Sequence, residues 1–108
     1  MKLWIDDVRP PPDDTWTWCT TGDLALAHLA HSYLSTNTAN QIEMVSFDHD
    51  LGGDNTSIFV AQMIELMAHG GHKPPAWQIH SANPVGRMNL EAALMSADRL
   101  WAKEDKLG

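Results

Sequence analysis

Met44-Val45-Ser46-Phe47-Asp48-His49-Asp50-Leu51-Gly52-Gly53 is a short apolar run that stops in two carboxylates flanking an imidazole, followed by a glycine pair that lets the backbone turn sharply. It reads as a buried strand delivering polar groups at its carboxyl end. Two other runs end the same way. Leu3-Trp4-Ile5 closes in Asp6-Asp7, and Trp77-Gln78-Ile79 closes in His80-Ser81-Ala82-Asn83.

Between these runs the chain alternates strands with helices. Pro10-Pro11-Pro12 cannot be helix interior, so an extended connector follows the first strand. Thr15 to Thr20 alternates β-branched and aromatic residues as a second strand. Thr20 and Asp23 have the spacing of a helix start, with Leu26, Leu29, Ala30 and Tyr33 as its apolar face. Ser35 to Gln41 reads as a loop and Ile42 to Phe47 as the central strand. Asn55 or Thr56 caps a second helix carrying Val60, Met63, Ile64 and Met67, which Gly70-Gly71 ends. The strand Ala76 to His80 follows, and Asn83-Pro84 opens a third helix with Leu90, Ala93, Leu94, Ala97 and Trp101 inward. The tail from Lys103 to Gly108 is expected to fray. This order predicts an α/β fold with parallel strands, whose ligands bind outside the strands' carboxyl ends. Asp6, Asp7, Asp48, Asp50, His80, Ser81 and Asn83 all fall at that edge.

The chain has 108 residues and a formal net charge of -7. The length predicts one domain over 1–108. The charge argues against a long nucleic acid held by a basic surface, and leaves room for a nucleotide or a single phosphate. Cys19 is the lone cysteine, so no intramolecular disulfide is possible. With no secretory or membrane-length apolar run, a cytoplasmic setting without a membrane partner is expected. Cys19 itself reads as a small core residue. The tryptophans read as core, with Trp16 or Trp18 able to face solvent on an edge strand.

Three carboxylates from Asp6, Asp7 and Asp48 repel one another unless a cation lies between them or one is protonated. An oxygen-only donor set suits Mg²⁺ or Mn²⁺, with Asp50 as a further candidate ligand. Asp50 has a second reading, satisfying N–H groups of the glycine turn together with Asp54. Arg9 is either a phosphate fork or the partner of Asp7 or Asp13. Ser81, Asn83 and the helix starting at Pro84 offer a hydroxyl, an amide and N–H groups to an anion, extended by Gly86, Arg87 and Asn89. His49 and His80 end strands expected to be neighbours, and two imidazoles can share general base and general acid work. Strand alternation turns His49 away from Asp48, which gives His80 the stronger claim.

The blocks Trp4-Ile5-Asp6-Asp7-Val8-Arg9-Pro10, Ser46-Phe47-Asp48-His49-Asp50-Leu51-Gly52 and Ile79-His80-Ser81-Ala82-Asn83-Pro84-Val85-Gly86-Arg87-Met88-Asn89 resemble the cyclic-phosphate processing receiver-like domains, a divergent group of response-regulator receivers. The resemblance implies a flavodoxin-like three-layer sandwich with a mostly parallel four-stranded sheet. It also implies an acidic pocket for a divalent metal and a phosphate, and a role in processing 2',3'-cyclic phosphates of RNA ends or nucleotides. Asp48 matches the receiver phosphoacceptor, so it is a candidate nucleophile as well as a metal ligand. Two departures stand out. The proline connector replaces the first receiver helix, and the fifth strand with its phosphoryl-contacting lysine is missing. A silent receiver-like module that binds a phosphate-containing ligand or a partner protein is the alternative. The sheet edge beyond His80 is covered either by the last helix or by a second copy, as a homodimer.

Overall fold

Each apolar run is a strand, and each amphipathic stretch a helix. The computed structural model describes residues 1–36, 41–51 and 56–107, with side chains through Lys103. The order is β1 (Lys2–Ile5), β2 (Trp16–Cys19), α1 (Gly22–Leu34), β3 (Met44–Phe47), α2 (Ile58–His69), β4 (Ala76–Ile79) and α3 (Pro84–Leu107). The strands lie side by side as β2-β1-β3-β4, and all three pairings are parallel. The α/β receiver-like class is therefore as expected, with the sheet wholly parallel among the described residues. Gly52, Gly53, Asp54 and Asn55 lie outside the described residues, and with them the glycine turn, its satisfaction by Asp54 and one of the two proposed caps.

Alternation along the strands sorts the side chains onto two faces. Leu3, Ile5, Cys19, Val45 and Phe47 join one core with Ala25 and Leu29 of α1, Val60, Ala61, Ile64 and Ala68 of α2, and Leu90, Leu94 and Ala97 of α3. All three helices therefore cover the same face. This follows from handedness: right-handed crossovers from β2 to β3 and from β3 to β4 advance in one direction, which puts their helices on one side.

The opposite face carries Lys2, Trp4, Trp16, Trp18, Met44, Ser46, Ala76 and Gln78, in register across the four strands. Here the β1–β2 connector, rather than a helix, meets the β1 and β2 part of the face, while Ala76 and Gln78 on β4 are exposed. The indole N–H of Trp4 donates to the carbonyl of Arg9 (2.9 Å) and that of Trp18 to the carbonyl of Asp6 (2.7 Å). Lys2 Nζ sits 4.5 Å from the centre of the Trp16 ring, a cation–π contact. Trp4 is buried, while Trp18 on the edge strand is 42% exposed.

Three local expectations shift. The α1 cap is Thr21, whose hydroxyl accepts from the N–H of Leu24 (3.2 Å). The α2 cap is Ser57, whose hydroxyl instead donates to the carbonyl of Asp48 (2.6 Å). α3 continues through Leu107 instead of fraying at Lys103, because 102–107 holds good helix formers and no proline or glycine. The last helix packs on α2 and β4, and the Trp77 indole donates to Asp98 on it (2.9 Å). Cys19 is buried as expected, and burial pushes its thiol up to about 11, which leaves it protonated and unreactive at neutral pH.

Candidate functional site

The sheet ladder continues one residue past each strand, and this brings the site together. The N–H of Asp6 donates to Cys19 (3.1 Å), that of Asp48 to Ile5 (2.9 Å) and that of His80 to Phe47 (2.9 Å), in each case to the carbonyl. Asp6, Asp48 and His80 thus stand abreast at the carboxyl edge. Asp7 completes the group: Asp6, Asp7 and Asp48 each offer one carboxylate oxygen, all within 4.8 Å of one another.

Asp6 is 1% exposed and its carboxylate is held on both oxygens. Oδ1 accepts from the backbone N–H of Val8 (2.9 Å) and Arg9 (2.8 Å), and Oδ2 faces His80 Nε2 (3.1 Å). Burial pushes the Asp6 pKa up, but the Val8 and Arg9 N–H groups and His80 together hold it below the ordinary carboxylate value. Asp48 goes the other way: burial, then the charge of Asp6, raise its pKa, against His80, a hydrogen bond from Ser81 and the charge of Arg9. Two neighbouring carboxylates are thus pushed apart in proton affinity.

His80 is enclosed. Its ring lies on the Trp4 indole with centroids 3.9 Å apart and planes 4° from parallel. Nδ1 is 2.7 Å from Ser46 Oγ, which also accepts from Gln78 Nε2 (3.0 Å). Burial lowers the His80 pKa, with Asp6 opposing. An ionised Asp6 only accepts, so Nε2 of neutral His80 carries the proton and Nδ1 accepts from the Ser46 hydroxyl.

The other sequence-derived candidates divide. Ser81 is buried beside Asp48 and also accepts from the N–H of Asn83 (3.1 Å). Arg9 is exposed, makes no salt bridge to a described residue, and its charge acts on both Asp48 and His80. Asp50 stands outside the acidic group: its carboxylate faces His49 Nδ1 (3.0 Å) and accepts from Asn83 Nδ2 (3.2 Å). His49 turns toward α3, away from Asp48 as alternation requires, and packs on Gly86, where an added Cβ would lie 2.2 Å from its ring. Gly86 is there for close packing.

The N-terminus of α3 is capped rather than open. Asn83 Oδ1 accepts from the N–H of Val85 and of Gly86 (both 3.1 Å), and the Asn83 carbonyl accepts from Arg87 (2.9 Å). Pro84 has no N–H, so the first-turn donors are already used. Arg87 reaches the Ile79 carbonyl (3.3 Å) and Glu91 (3.4 Å), and Asn89 is exposed. An apolar groove of about 450 Å³ lies elsewhere, between α1 and α2, lined among others by Leu26, Tyr33, Met63 and Leu66. None of its lining residues belongs to the acidic group.

Sequence reasoning missed Ser46, Gln78, Trp4 and Ser57. The only available signal was Ser46, a lone hydroxyl inside an apolar strand.

A model of the cyclic-phosphate processing receiver domain matches residues 1–96. The chain belongs to this family. No curated protein and no solved structure matches it. In this cyclic-phosphate processing receiver domain, the three carboxylates fit a divalent cation on chemical grounds. They are hard oxygen donors, and the repulsion between Asp6 and Asp48 is visible in Asp48, whose pKa is raised first by burial and then by the Asp6 charge.

Proposed function

We propose that the domain binds a cyclic phosphate at the carboxyl edge and opens it hydrolytically with a divalent cation. The observation that carries this reading is the convergence of Asp6, Asp7 and Asp48 within 4.8 Å, beside Ser81, in a chain of this family. When bound, Mg²⁺ or Mn²⁺ supplies charge neutralisation for the phosphate oxygens. Asp6, Asp7 and Asp48 would hold it. Asp50, turned to His49 and Asn83, is the weakest ligand candidate. Arg9 and the Ser81 hydroxyl are the groups positioned for phosphate oxygens. The capped α3 terminus, Asn83, Gly86, Arg87 and Asn89 are a poorer fit, because most have other partners.

Opening a 2',3'-cyclic phosphate adds water to phosphorus and breaks one P–O ester bond, with a proton leaving the water and one reaching the departing sugar oxygen. Asp48, hydrogen-bonded by Ser81, would either take the attacking water's proton on the oxygen that does not hold the cation, or attack phosphorus itself to form an acyl phosphate that water then hydrolyses to the same monoester. His80 has both ring nitrogens engaged and His49 is packed on Gly86 of α3, so both are less suited to proton transfer at the acidic edge.

Incubation with Mn²⁺ or Mg²⁺ and a panel of 2',3'-cyclic nucleotides tests this. The expected result is a phosphate monoester product, reduced at least about 100-fold in Asp48→Asn, as for loss of one essential catalytic group. No turnover by the wild type, or turnover unchanged in that variant, overturns it.

The commitment of both His80 ring nitrogens favours a second reading, a silent module that binds a phosphate-containing ligand or a partner protein. Binding of inorganic phosphate or beryllofluoride without turnover distinguishes it.

A further inference from the structure

We propose that Gln78, Ser46 and His80 form a hydrogen-bonded relay across the sheet that fixes the Asp6 carboxylate for the cation, making His80 a positioning residue. The inference deepens the reading above and rests on it for the metal.

The relay follows from strand register. Ser46 on β3 pairs with Trp4 on β1 and with Gln78 on β4, so these three side chains share a row on the helix-free face. His80 is two residues beyond Gln78 on the same face. Its ring reaches back over Trp4, and its nitrogens fall between Ser46 and Asp6. Gln78 Nε2 donates to Ser46 Oγ (3.0 Å), Ser46 Oγ donates to His80 Nδ1 (2.7 Å), and His80 Nε2 donates to Asp6 Oδ2 (3.1 Å). Each acceptor is satisfied by the donor before it, so the chain of bonds has one direction.

The relay has three consequences. Ser46 is fully buried in an apolar strand, and it explains why a hydroxyl is tolerated there: both its donor and its acceptor are used. The Trp4 ring, stacked on His80, restrains its tilt. Asp6, held by His80 on Oδ2 and by two backbone N–H groups on Oδ1, is left with one uncommitted lone pair, on Oδ2. A histidine that orients a ligating carboxylate supports a metal site from outside, and loss of such support typically costs roughly 10–100-fold in metal affinity.

The test is titration of the full chain with Mn²⁺ alone, combined with nitrogen-15 shifts of the His80 ring in metal-free protein. The wild type is expected to bind Mn²⁺ and to hold His80 as the Nε2–H tautomer. Ser46→Ala should bind Mn²⁺ roughly 10–100-fold more weakly, with His80 shifted toward a tautomer mixture. Ser46→Thr, which keeps the hydroxyl, should restore both. Gln78→Met, on the exposed side of β4, should give a smaller loss and keeps the test open if Ser46→Ala folds poorly. Unchanged affinity in Ser46→Ala and Gln78→Met, or an Nδ1–H tautomer in the wild type, overturns the relay and leaves the metal site standing. A wild type that does not bind Mn²⁺ overturns the metal reading, and this inference with it, whatever the tautomer.

Discussion

The imidazole of His80 and the indole of Trp4 lie face to face, 3.9 Å apart and 4° from parallel, although they are 76 positions apart in the chain. The pair joins the first strand to the loop after the last. Trp4 also meets Trp16 edge-on at 5.6 Å and donates to Arg9, so one ring ties the connector, the edge strand and the site together. Trp4→Ala should destabilise the protein by about 3–5 kcal/mol, the usual range for emptying a buried aromatic position. Trp4→Phe should cost less, because it keeps the stack and loses only the hydrogen bond and part of the area. Urea unfolding measures both. Equal costs would show that the indole N–H, and not the stack, matters.

Stability should depend on pH through His80. Burial, against the pull of Asp6, lowers its pKa in the folded protein, so the unfolded chain protonates first, near the ordinary value of about 6.5. Below that pH the unfolded state binds the extra proton, and stability falls as the solution is acidified. Asp6, lowered overall although burial acts to raise it, contributes stability above the ordinary carboxylate pKa that is lost as pH falls through its folded value. Asp48, raised by burial first and Asp6 second, contributes in the opposite sense: its stabilisation is present at low pH and is lost as pH rises through its folded value. Unfolding in the presence of a chelator at pH 7.5 and 5.5 should show the wild type less stable at the lower pH. The difference should shrink in His80→Gln. An unchanged difference in that variant removes His80 as its source.

Gly86 should resist any side chain. Alanine inside a helix ordinarily gains about 0.5–1 kcal/mol over glycine, but here the new Cβ would meet the His49 ring at 2.2 Å. Overpacking of this kind costs about 1–3 kcal/mol, so the net effect should be destabilising. His49→Ala removes the obstacle, and in that background Gly86→Ala should become neutral or stabilising. The double-mutant cycle reports the coupling directly.

The strands and the acidic edge were legible because their signal is local: an apolar run that ends in carboxylates reads the same whatever it packs against. Asp6, Asp7 and Asp48 needed only the parallel order of the strands to be brought together. The His80 relay was not legible, since it depends on the register of β3 against β4 and on which face Ser46 takes. Helix faces were partly misread. In α1, Leu29 joins the core and Leu26 packs against it as expected, but Ala30 is exposed, Tyr33 is 45% exposed against His72, and Ala25, not foreseen, is fully buried. Likewise Ala61 and Ala68 are buried in α2 while Met63 is 38% exposed. Small side chains let a helix approach a sheet closely, and the larger ones are left at the rim. The free N–H groups expected at the start of α3 are absent because Asn83 takes them, a choice between cap and anion site that composition does not decide.

Placing every helix on one face makes the sheet a partition between two kinds of demand. On one side Phe47, Ile64, Leu90 and their neighbours supply cohesion. On the other, Trp4, Ser46, Gln78 and His80 supply orientation, next to a connector stiffened by Pro10, Pro11 and Pro12 and tied to Trp4. Changes on the two sides share few partners, so their effects should be close to additive. Such a domain can retune its chemistry without renegotiating its fold.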